Sequence, residues 1–282
     1  MNEITIVIIA HKSSKTVLDF VRKIPKKYKI IIVDNSYDYI LGEKIKKFKN
    51  IKLKFMKNKG YGAGINFARK FVKTKYFFAF SPDILGVNKT FLKKFEKTIK
   101  NKLKFGALGP RFLDVSQKSH KQSNVKNSIG TINAISGSAM LINTKSFDDI
   151  NGFDENIFLF FEENDFCQRL CKKKYKIFQI NKARVTHPKG VAKGVVKTKS
   201  KDIEKLQNFY GWHFMWSKFY FYKKKNNKLF AIISFTPVLI RLILRIFISY
   251  LFSTSKTQKY SMRLQGLFTS MTGTSSYKRI NL

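Results

Sequence analysis

Residues 4–10 read ITIVIIA, a run that is apolar throughout except for the β-branched Thr5. A short continuous run of this kind, without polar alternation, is how a strand buried on both faces reads, and such strands belong to parallel sheets covered by helices. The sequence on its C-terminal side repeats the theme. Ser14 to Lys23 reads as a helix with Val17, Leu18 and Val21 on its inner face, and Lys29 to Val33 as a second buried strand ending in Asp34-Asn35-Ser36. Glu43 to Phe48 reads as a short helix, Ile51 to Met56 as a third strand, and Gly64 to Val72 as a helix opened by a glycine-rich turn. Tyr76 to Phe80 is a fourth strand ending in Ser81-Pro82-Asp83, and Lys89 to Lys100 a further helix. Strands and helices alternating at this spacing predict an α/β domain with a mostly parallel central sheet.

Ligands of such sheets bind beyond the carboxyl ends of the strands. His11, Asp34, Asn58 and Asp83 all follow the four strands in turn, so one edge of the sheet collects them. Each also has an ordinary reading: Asp34 can cap its own turn, and Asp83 the loop before the next helix. Asn58-Lys59-Gly60-Tyr61-Gly62-Ala63-Gly64 is neither a dinucleotide fingerprint nor a nucleoside-triphosphatase loop. Its glycines are expected to let the backbone approach a ligand, with Asn66 pointing from the first turn of the helix. Asp83, as a hard oxygen donor, is the candidate for Mg²⁺ or Mn²⁺ beside a diphosphate.

Charge sets a second constraint. The chain has 282 residues, 56 Lys and Arg against 17 Asp and Glu, and a formal net charge of +39. A surface this basic implies an anionic partner: nucleic acid, a phosphorylated small molecule or an anionic membrane. Against that background, five of the seventeen acids fall within residues 154–165, in GFDENIFLFFEENDFCQR at 152–169. Asn164 to Lys173 reads as a helix that pairs Asp165 with Arg169. Glu162 and Glu163 stand at its start, where free N–H groups favour an ionised carboxylate. An ionised carboxylate at the end of an apolar run suits a general base, so Glu162 and Glu163 are candidates for one, with Phe160, Phe161 and Phe166 expected to shield it from water. Capping of the helix with a solvated acidic edge is the plain alternative. Cys167 and Cys171, one turn apart with no second pair, read as reduced and mostly packed residues of a cytoplasmic protein.

Taken together, TIVIIAH at 5–11, VDN at 33–35, NKGYGAGIN at 58–66, SPD at 81–83, SGSAMLI at 136–142 and GFDE…FFEEND…R at 152–169 resemble, in order, the motifs of inverting family 2 glycosyltransferases, above all the rhamnosyltransferase branch. The resemblance covers roughly residues 4 to 190 and implies a nucleotide-diphosphate-sugar-binding domain of GT-A type. It implies a nucleotide-binding role for Asp34, a nucleobase pocket lined by Ala10 and His11, and donor contacts from Asn58, Gly60, Gly64 and Asn66. The metal-binding aspartate motif ends on Asp83, with Ser81 where an Asp is usual, and implies Mg²⁺ or Mn²⁺. The family's Glu-Asp pair, which holds its base, falls on Glu162-Glu163, with Glu163 where the family has Asp, so the resemblance implies Glu163, Glu162 or Asp165 as the base. His187, followed by Pro188-Lys189-Gly190, falls on the late-loop His, so His187 joins Asp83 as a metal candidate and Lys189 joins the phosphate contacts. The implied partners are a nucleotide-diphosphate sugar donor, with rhamnose or another hexose, and a glycan or lipid-linked glycan acceptor of cell-surface polysaccharide synthesis.

Between these motifs, Phe105 to Leu108 reads as a strand broken by Gly109-Pro110-Arg111, and Leu113 to Asn133 as a long polar loop. Ile135 to Ile142 reads as a strand, as do Tyr175 to Ile180 and Ala183 to Thr186, which close a catalytic domain at residues 1–200. Residues 190–200 read as a basic lid or a linker. Residues 201–282 differ in character. Asp202 to Lys225 interleaves aromatic and basic residues in a helix, a pattern that suits stacking on bases or an anionic lipid interface. Leu229 to Phe252 is apolar and long enough to span a bilayer, yet contains Pro237, Arg241 and Arg245. A helix lying in the interface explains those arginines better than a span, with a hairpin or homodimer contact as the remaining option. Met262 to Phe268 reads as a short helix. A nucleic-acid-binding protein rests on charge alone, with no recognisable module behind it. The expected location is the cytoplasmic face of a membrane, peripherally attached.

Overall fold

The computed structural model describes residues 3–101, 103–114, 122–124, 126–187 and 200–280. Two compact units divide the chain: residues 1–153 with 163–195, and residues 154–162 with 196–282. The C-terminal unit thus includes 154–162 as well as the residues from 196 onward.

The first unit is built on one eight-stranded sheet in the order β3-β2-β1-β4-β7-β5-β8-β6. Its strands are β1 (Ile4–Ala10), β2 (Lys29–Asp34), β3 (Ile51–Phe55), β4 (Tyr76–Phe80), β5 (Ala107–Phe112), β6 (Ile129–Thr131), β7 (Ala139–Asn143) and β8 (Ile177–Val185). Strands β3, β2, β1 and β4 run parallel, β7 is antiparallel to β4 and β5, and β8 is parallel to β5. The alternation of side chains along a strand is visible in the core. Ile4, Ile6, Ile8 and Tyr76, Phe78, Phe80 point to one face, where they meet α1 (Ser14–Val21), α2 (Tyr39–Ile45) and α4 (Lys89–Lys100). Val7, Ile9, Phe77 and Ala79 point to the other face, toward α3 (Tyr61–Arg69), α5 (Thr144–Asp149) and α6 (Glu162–Lys172). Each fully buried Phe or Ile contributes about 1.5–3 kcal/mol, so the two-sided β1 and β4 anchor the sheet.

Several expected boundaries move, each for a physical reason. Helix α3 begins at Tyr61, so Gly62 and Gly64 lie inside it and serve packing: a Cβ on Gly62 would lie 2.8 Å from Phe153 Cβ, and one on Gly64 3.1 Å from Ile9 side-chain atoms. Strand β5 runs through Gly109-Pro110-Arg111 instead of ending there. Its pairing with β7 stops at Leu108, so the missing N–H of Pro110 costs no bond on that side, and the register with β8 shifts between Pro110 and Arg111. That irregularity also lets β8 continue as one strand where two were expected. Residues 135–138 form a turn before β7, and β6 interrupts the loop expected at 113–133.

The second unit contains α7 (Ser200–Lys225), α8 (Lys228–Phe252) and α9 (Thr254–Met271), the last far longer than the short helix expected. Asn227 caps α8 by accepting from the Phe230 N–H at 2.8 Å, and Ser253 caps α9 through the Lys256 N–H at 3.4 Å. Met215 and Phe219 of α7, Ala231, Phe235 and Leu242 of α8 and Leu267 of α9 form its core. Residues 154–162 are tied to α7 by Lys224 Nζ and Tyr220 Oη on Asp154 (2.6 and 3.1 Å) and by Ser217 Oγ on the Leu159 carbonyl (2.8 Å). Burial raises the Asp154 carboxyl, but Lys224 and the Asn156 amide outweigh it and leave its pKa below the usual value.

Candidate active site

The carboxyl ends of β1, β2 and β3 meet in a network of short polar side chains. Ala10 pairs with Asp34 across β1 and β2, and both are buried. His11 Nδ1 lies 2.6 Å from Asn35 Oδ1, and Asn35 Nδ2 donates to Asn58 Oδ1 at 3.2 Å. Asn58 Oδ1 also accepts from the Gly60 N–H at 3.1 Å, and Gly60 itself has φ 101°, which favours glycine. Asn35, which sequence reading passed over, is the link between His11 and Asn58, and its place in VDN was the available signal. Asp34 is fully buried and directs its carboxylate to its own turn, accepting from the N–H groups of Ser36 (2.9 Å) and Asp38 (3.0 Å). Asn66 does not point to this edge. Its amide donates to the Phe153 carbonyl (2.9 Å) and accepts from the Phe153 N–H (2.8 Å), clamping the chain that leads from Gly152.

A second set forms where β4 ends beside the turn before β7. The Ser81 N–H donates to the Ser138 carbonyl at 2.9 Å, and Ser136 and Ser138 hydroxyls lie 2.9 Å apart. Tyr61 Oη donates to the Gly137 carbonyl at 2.6 Å. Gly137 is the meeting point: a Cβ there would be 3.5 Å from both Glu163 Cβ and Tyr61 Cε1. Glu163 is thereby placed against the turn that holds Ser81, two residues before Asp83. Tyr61 sits within NKGYGAGIN, but only the fold shows that its hydroxyl reaches the turn before β7.

Asp83 and His187 come together, with Asp83 Oδ1 3.2 Å from His187 Nε2. Leu85 and Thr186 exchange backbone bonds (2.8 and 3.1 Å), which fastens the Asp83 loop to the end of β8. The His187 N–H donates to Asp114 Oδ1 at 3.2 Å, a contact that lay unseen in the long polar loop. The pair shares its charge. For Asp83, burial pushes the carboxyl up, but the His187 hydrogen bond and charge together leave it below the ordinary value. For His187, the Asp83 hydrogen bond raises the ring above its ordinary value, burial works against it, and the charges of Asp83 and Asp114 add to the rise. Among the described residues no three His, Cys, Asp or Glu are grouped to hold a metal alone. Asp83 and His187 do fit two neighbouring ligands of a six-coordinate divalent ion, whose donors at about 2.1 Å stand roughly 3 Å apart. Phosphate and water oxygens would have to complete the shell. Lys189 and the 190–199 segment lie outside the described residues.

Three acidic candidates separate by their surroundings. Asp165 is held by Arg169 Nε at 2.7 Å with its side chain 1% exposed, and Arg169 also donates to the Ile150 carbonyl. This corrects its candidacy as a base, because no acceptor hydroxyl can reach it. Glu162 is buried, whereas Glu163 is partly exposed, and both occupy the first turn of α6. Phe160 and Phe161, at φ 65° and 67°, adopt left-handed backbone just before that turn, at about 1–2 kcal/mol each. Their rings pack against Tyr210, Phe214 and Phe221 within the helical unit, and Phe166 stacks on Phe153 in the core at 4.4 Å. Phe166, fully buried, therefore serves the core and not the aromatic shield expected over the base, while Phe160 and Phe161 are partly exposed.

The family described as glycosyl transferase family 2 matches residues 5–141, and the one described as N-terminal domain of galactosyltransferase matches residues 117–191. No curated protein sequence matches the chain significantly. Solved structures share the fold at low identity. S. aureus TarS 1–349 in complex with UDP-GlcNAc is 14% identical with TM-score 0.55, covering 98% of this chain and 93% of that one. The mannosyltransferase PcManGT from Pyrobaculum calidifontis, in complex with GDP-Man and Mn²⁺, is 10% identical with TM-score 0.58, covering 95% and 87%. GalNAc-T7 with UDP, GalNAc and Mn²⁺ is 13% identical with TM-score 0.52, covering 65% of this chain and 43% of its own. The segment 5–141, which carries Asp34, Asp83 and the turn against Glu163, is thus similar to glycosyl transferase family 2 domains, and the mostly parallel mixed sheet is that of the GT-A fold.

Proposed function

We propose that the protein moves a sugar from a nucleotide diphosphate to a hydroxyl group with inversion, and that Glu163 is the general base. The observation that carries this is the run of contacts from Glu163 through Gly137, Ser138 and Ser81 to the Asp83–His187 pair. That run supports the reading because a partly exposed carboxylate and the Asp83–His187 pair lie at one edge of the sheet. In the reaction, Glu163 takes the acceptor proton as the hydroxyl oxygen bonds to the anomeric carbon, while the bond to the diphosphate breaks and its electrons leave with the phosphate. The α6 N-terminus favours the ionised form that a base needs. Asp83 and His187 would hold Mg²⁺ or Mn²⁺, which when bound neutralises charge growing on the leaving diphosphate. His11, Asn35 and Asn58 form the polar rim beside which the nucleotide would lie, with Asp34 shaping the turn beneath it.

The donor is a nucleotide-diphosphate hexose. The structural neighbours with UDP-GlcNAc and with GDP-Man support that class, and the motif resemblance supports rhamnose as its narrower version. The acceptor is a glycan or lipid-linked glycan hydroxyl. Calorimetry with UDP, dTDP and GDP, with and without Mn²⁺, is expected to show binding of at least one nucleotide, and binding of none of them would sink the reading. Glu163→Gln is expected to lower transfer roughly 10²-fold or more while leaving donor binding unchanged. Near-normal turnover in that variant with loss in Glu162→Gln would move the base to Glu162.

A further inference from the structure

Helix α8 is long and apolar enough to cross a membrane. Its packing argues otherwise. We propose that α8 lies flat in the surface of an anionic lipid bilayer, with its outward apolar stripe among the acyl chains and Arg241 and Arg245 at the phosphates. This is independent of the catalytic reading.

One stripe of α8, Ala231, Phe235, Leu242 and Ser249, is buried along most of its length, and its apolar members form a core with Met215, Phe219 and Leu267 of the neighbouring helices. The opposite stripe recurs at helical spacing as Leu229, Ile233, Ile240, Leu244, Phe247 and Leu251, each 53–71% exposed. These residues continue over nearly the whole helix, roughly 37 Å at 1.5 Å per residue. An apolar stripe of that length on a soluble surface marks a surface that is covered in use.

A span would surround α8 with hydrocarbon on all sides. Its inner side is occupied by α7 and α9, and α9 carries exposed Lys256, Gln258, Lys259 and Gln265, which hydrocarbon would strip of water. A helix inserted from the side needs only its outer stripe to be apolar. The two arginines fit that placement. By helical phase they fall on a flank, between the packed and outward stripes, and both are exposed. Arg245 lies over the Tyr260 ring at 5.4 Å. Tyr250, 79% exposed, falls on the other flank, at the headgroup level where tyrosine settles. Exposed Lys225 and Lys228 at one end, and Lys256 and Lys259 at the other, bring both ends to the same layer of phosphates. With a net charge of +39 behind them, these cations select an anionic surface over a second, equally basic copy of the chain.

Flotation of the full-length protein with phosphatidylcholine vesicles, with and without phosphatidylglycerol, tests the partner. Binding is expected to require phosphatidylglycerol. Phe247→Ser with Leu251→Ser, both on the exposed face, should lower it about tenfold or more, and Arg241→Gln with Arg245→Gln should reduce the anionic preference by roughly tenfold. Topology is read in a Cys171→Ser background, since Cys171 is exposed and Cys167 buried. Lys228→Cys and Ser255→Cys should both react with an impermeant maleimide added outside sealed vesicles. Protection of one end would establish a span and overturn the proposal. Failure to float, together with a dimer that the Phe247/Leu251 variant dissociates, would assign the stripe to a second copy and also overturn it.

Discussion

His187 of the α/β unit and His213 of the helical unit sit in polar clusters that answer acid in opposite ways. His187 is partly exposed beside Asp83 and holds its proton more tightly than a free histidine. His213 has no exposed surface, and burial drives its pKa down to about 4, helped by the nearby Arg279 and Lys278 charges and opposed only by the Lys278 carbonyl. Its two ring nitrogens are already engaged, Nε2 at 3.0 Å from that carbonyl and Nδ1 at 3.2 Å from Ser276 Oγ. One cluster keeps a charge where a ligand can meet it. The other excludes charge to join α7 to the C-terminal segment. The glycines divide in the same way. Gly64 lets α3 approach the flexible end of Ile9, while Gly266 lets α9 approach the backbone of Trp212.

The contrast is broken most severely at Gly266. A Cβ there would stand 2.2 Å from the Trp212 carbonyl oxygen, and backbone cannot step aside as a side chain can. Gly266→Ala is expected to cost the helical unit about 3 kcal/mol or more, whereas Gly64→Ala, 3.1 Å from a movable Ile9 methyl group, should cost under about 1 kcal/mol. Both tryptophans, Trp212 and Trp216, lie in α7, so their fluorescence follows the helical unit in urea, and circular dichroism follows the whole chain. Equal losses in the two variants would show that the tight α7–α9 approach is not what holds the helices.

Acid gives the next largest effect. His213 has a folded pKa below its ordinary 6.5, so above that value both states are neutral and the histidine adds no pH dependence. As pH falls from 6.5 toward about 4, the unfolded chain gains a proton that the folded chain refuses, and stability declines. Over that interval the loss should reach roughly 3 kcal/mol, read as a falling urea midpoint of tryptophan fluorescence. His213→Gln should flatten the dependence, and an unchanged slope would assign it to another group.

How much of this could be read beforehand follows from the kind of interaction involved. Strands β1 and β4 were legible to the residue because burial on both faces leaves a continuous apolar run, and its shortness and its β-branched and aromatic residues mark it as strand. Helix α4 was legible because it faces the core on one side only. The rim residues His11, Asp34, Asn58 and Asp83 followed from the strands that precede them. Asn35, Tyr61 and Asp114 act across 23 to 76 positions of sequence, and local pattern carries no trace of such contacts. Pro110 reads as a break, yet β5 continues through it, because pairing with β7 has ended at Leu108 and pairing with β8 shifts register after Pro110. The acids clustered at 154–165 differ in their partners, which local sequence does not show: Asp154 pairs with Lys224 of α7, Asp165 with Arg169, and Glu163 lies against the Gly137 turn.

The smallest expected effect is the most informative about the rim. Asp83 and His187 form an ion pair with side chains 24% and 38% exposed, so solvent limits its contribution to stability to about 1 kcal/mol or less. Its window follows from the two shifts. The raised His187 pKa gives a contribution that is full below 6.5 and fades as pH rises through the folded value. The lowered Asp83 pKa gives one that is full above 3.8 and fades as pH falls through the folded value. Between those limits the pair is intact, and in that same interval the His187 proton competes with any cation held on Nε2. Donor affinity measured with Mn²⁺ should therefore rise as pH climbs through the His187 pKa, while affinity measured without metal should not follow that titration. Asp83→Asn removes the partner that raises the ring, so the His187 proton resonance should titrate at lower pH and the metal-dependent gain should disappear. A His187 titration unmoved by Asp83→Asn would separate the two side chains in solution and leave Asp83 as the cap of its own loop.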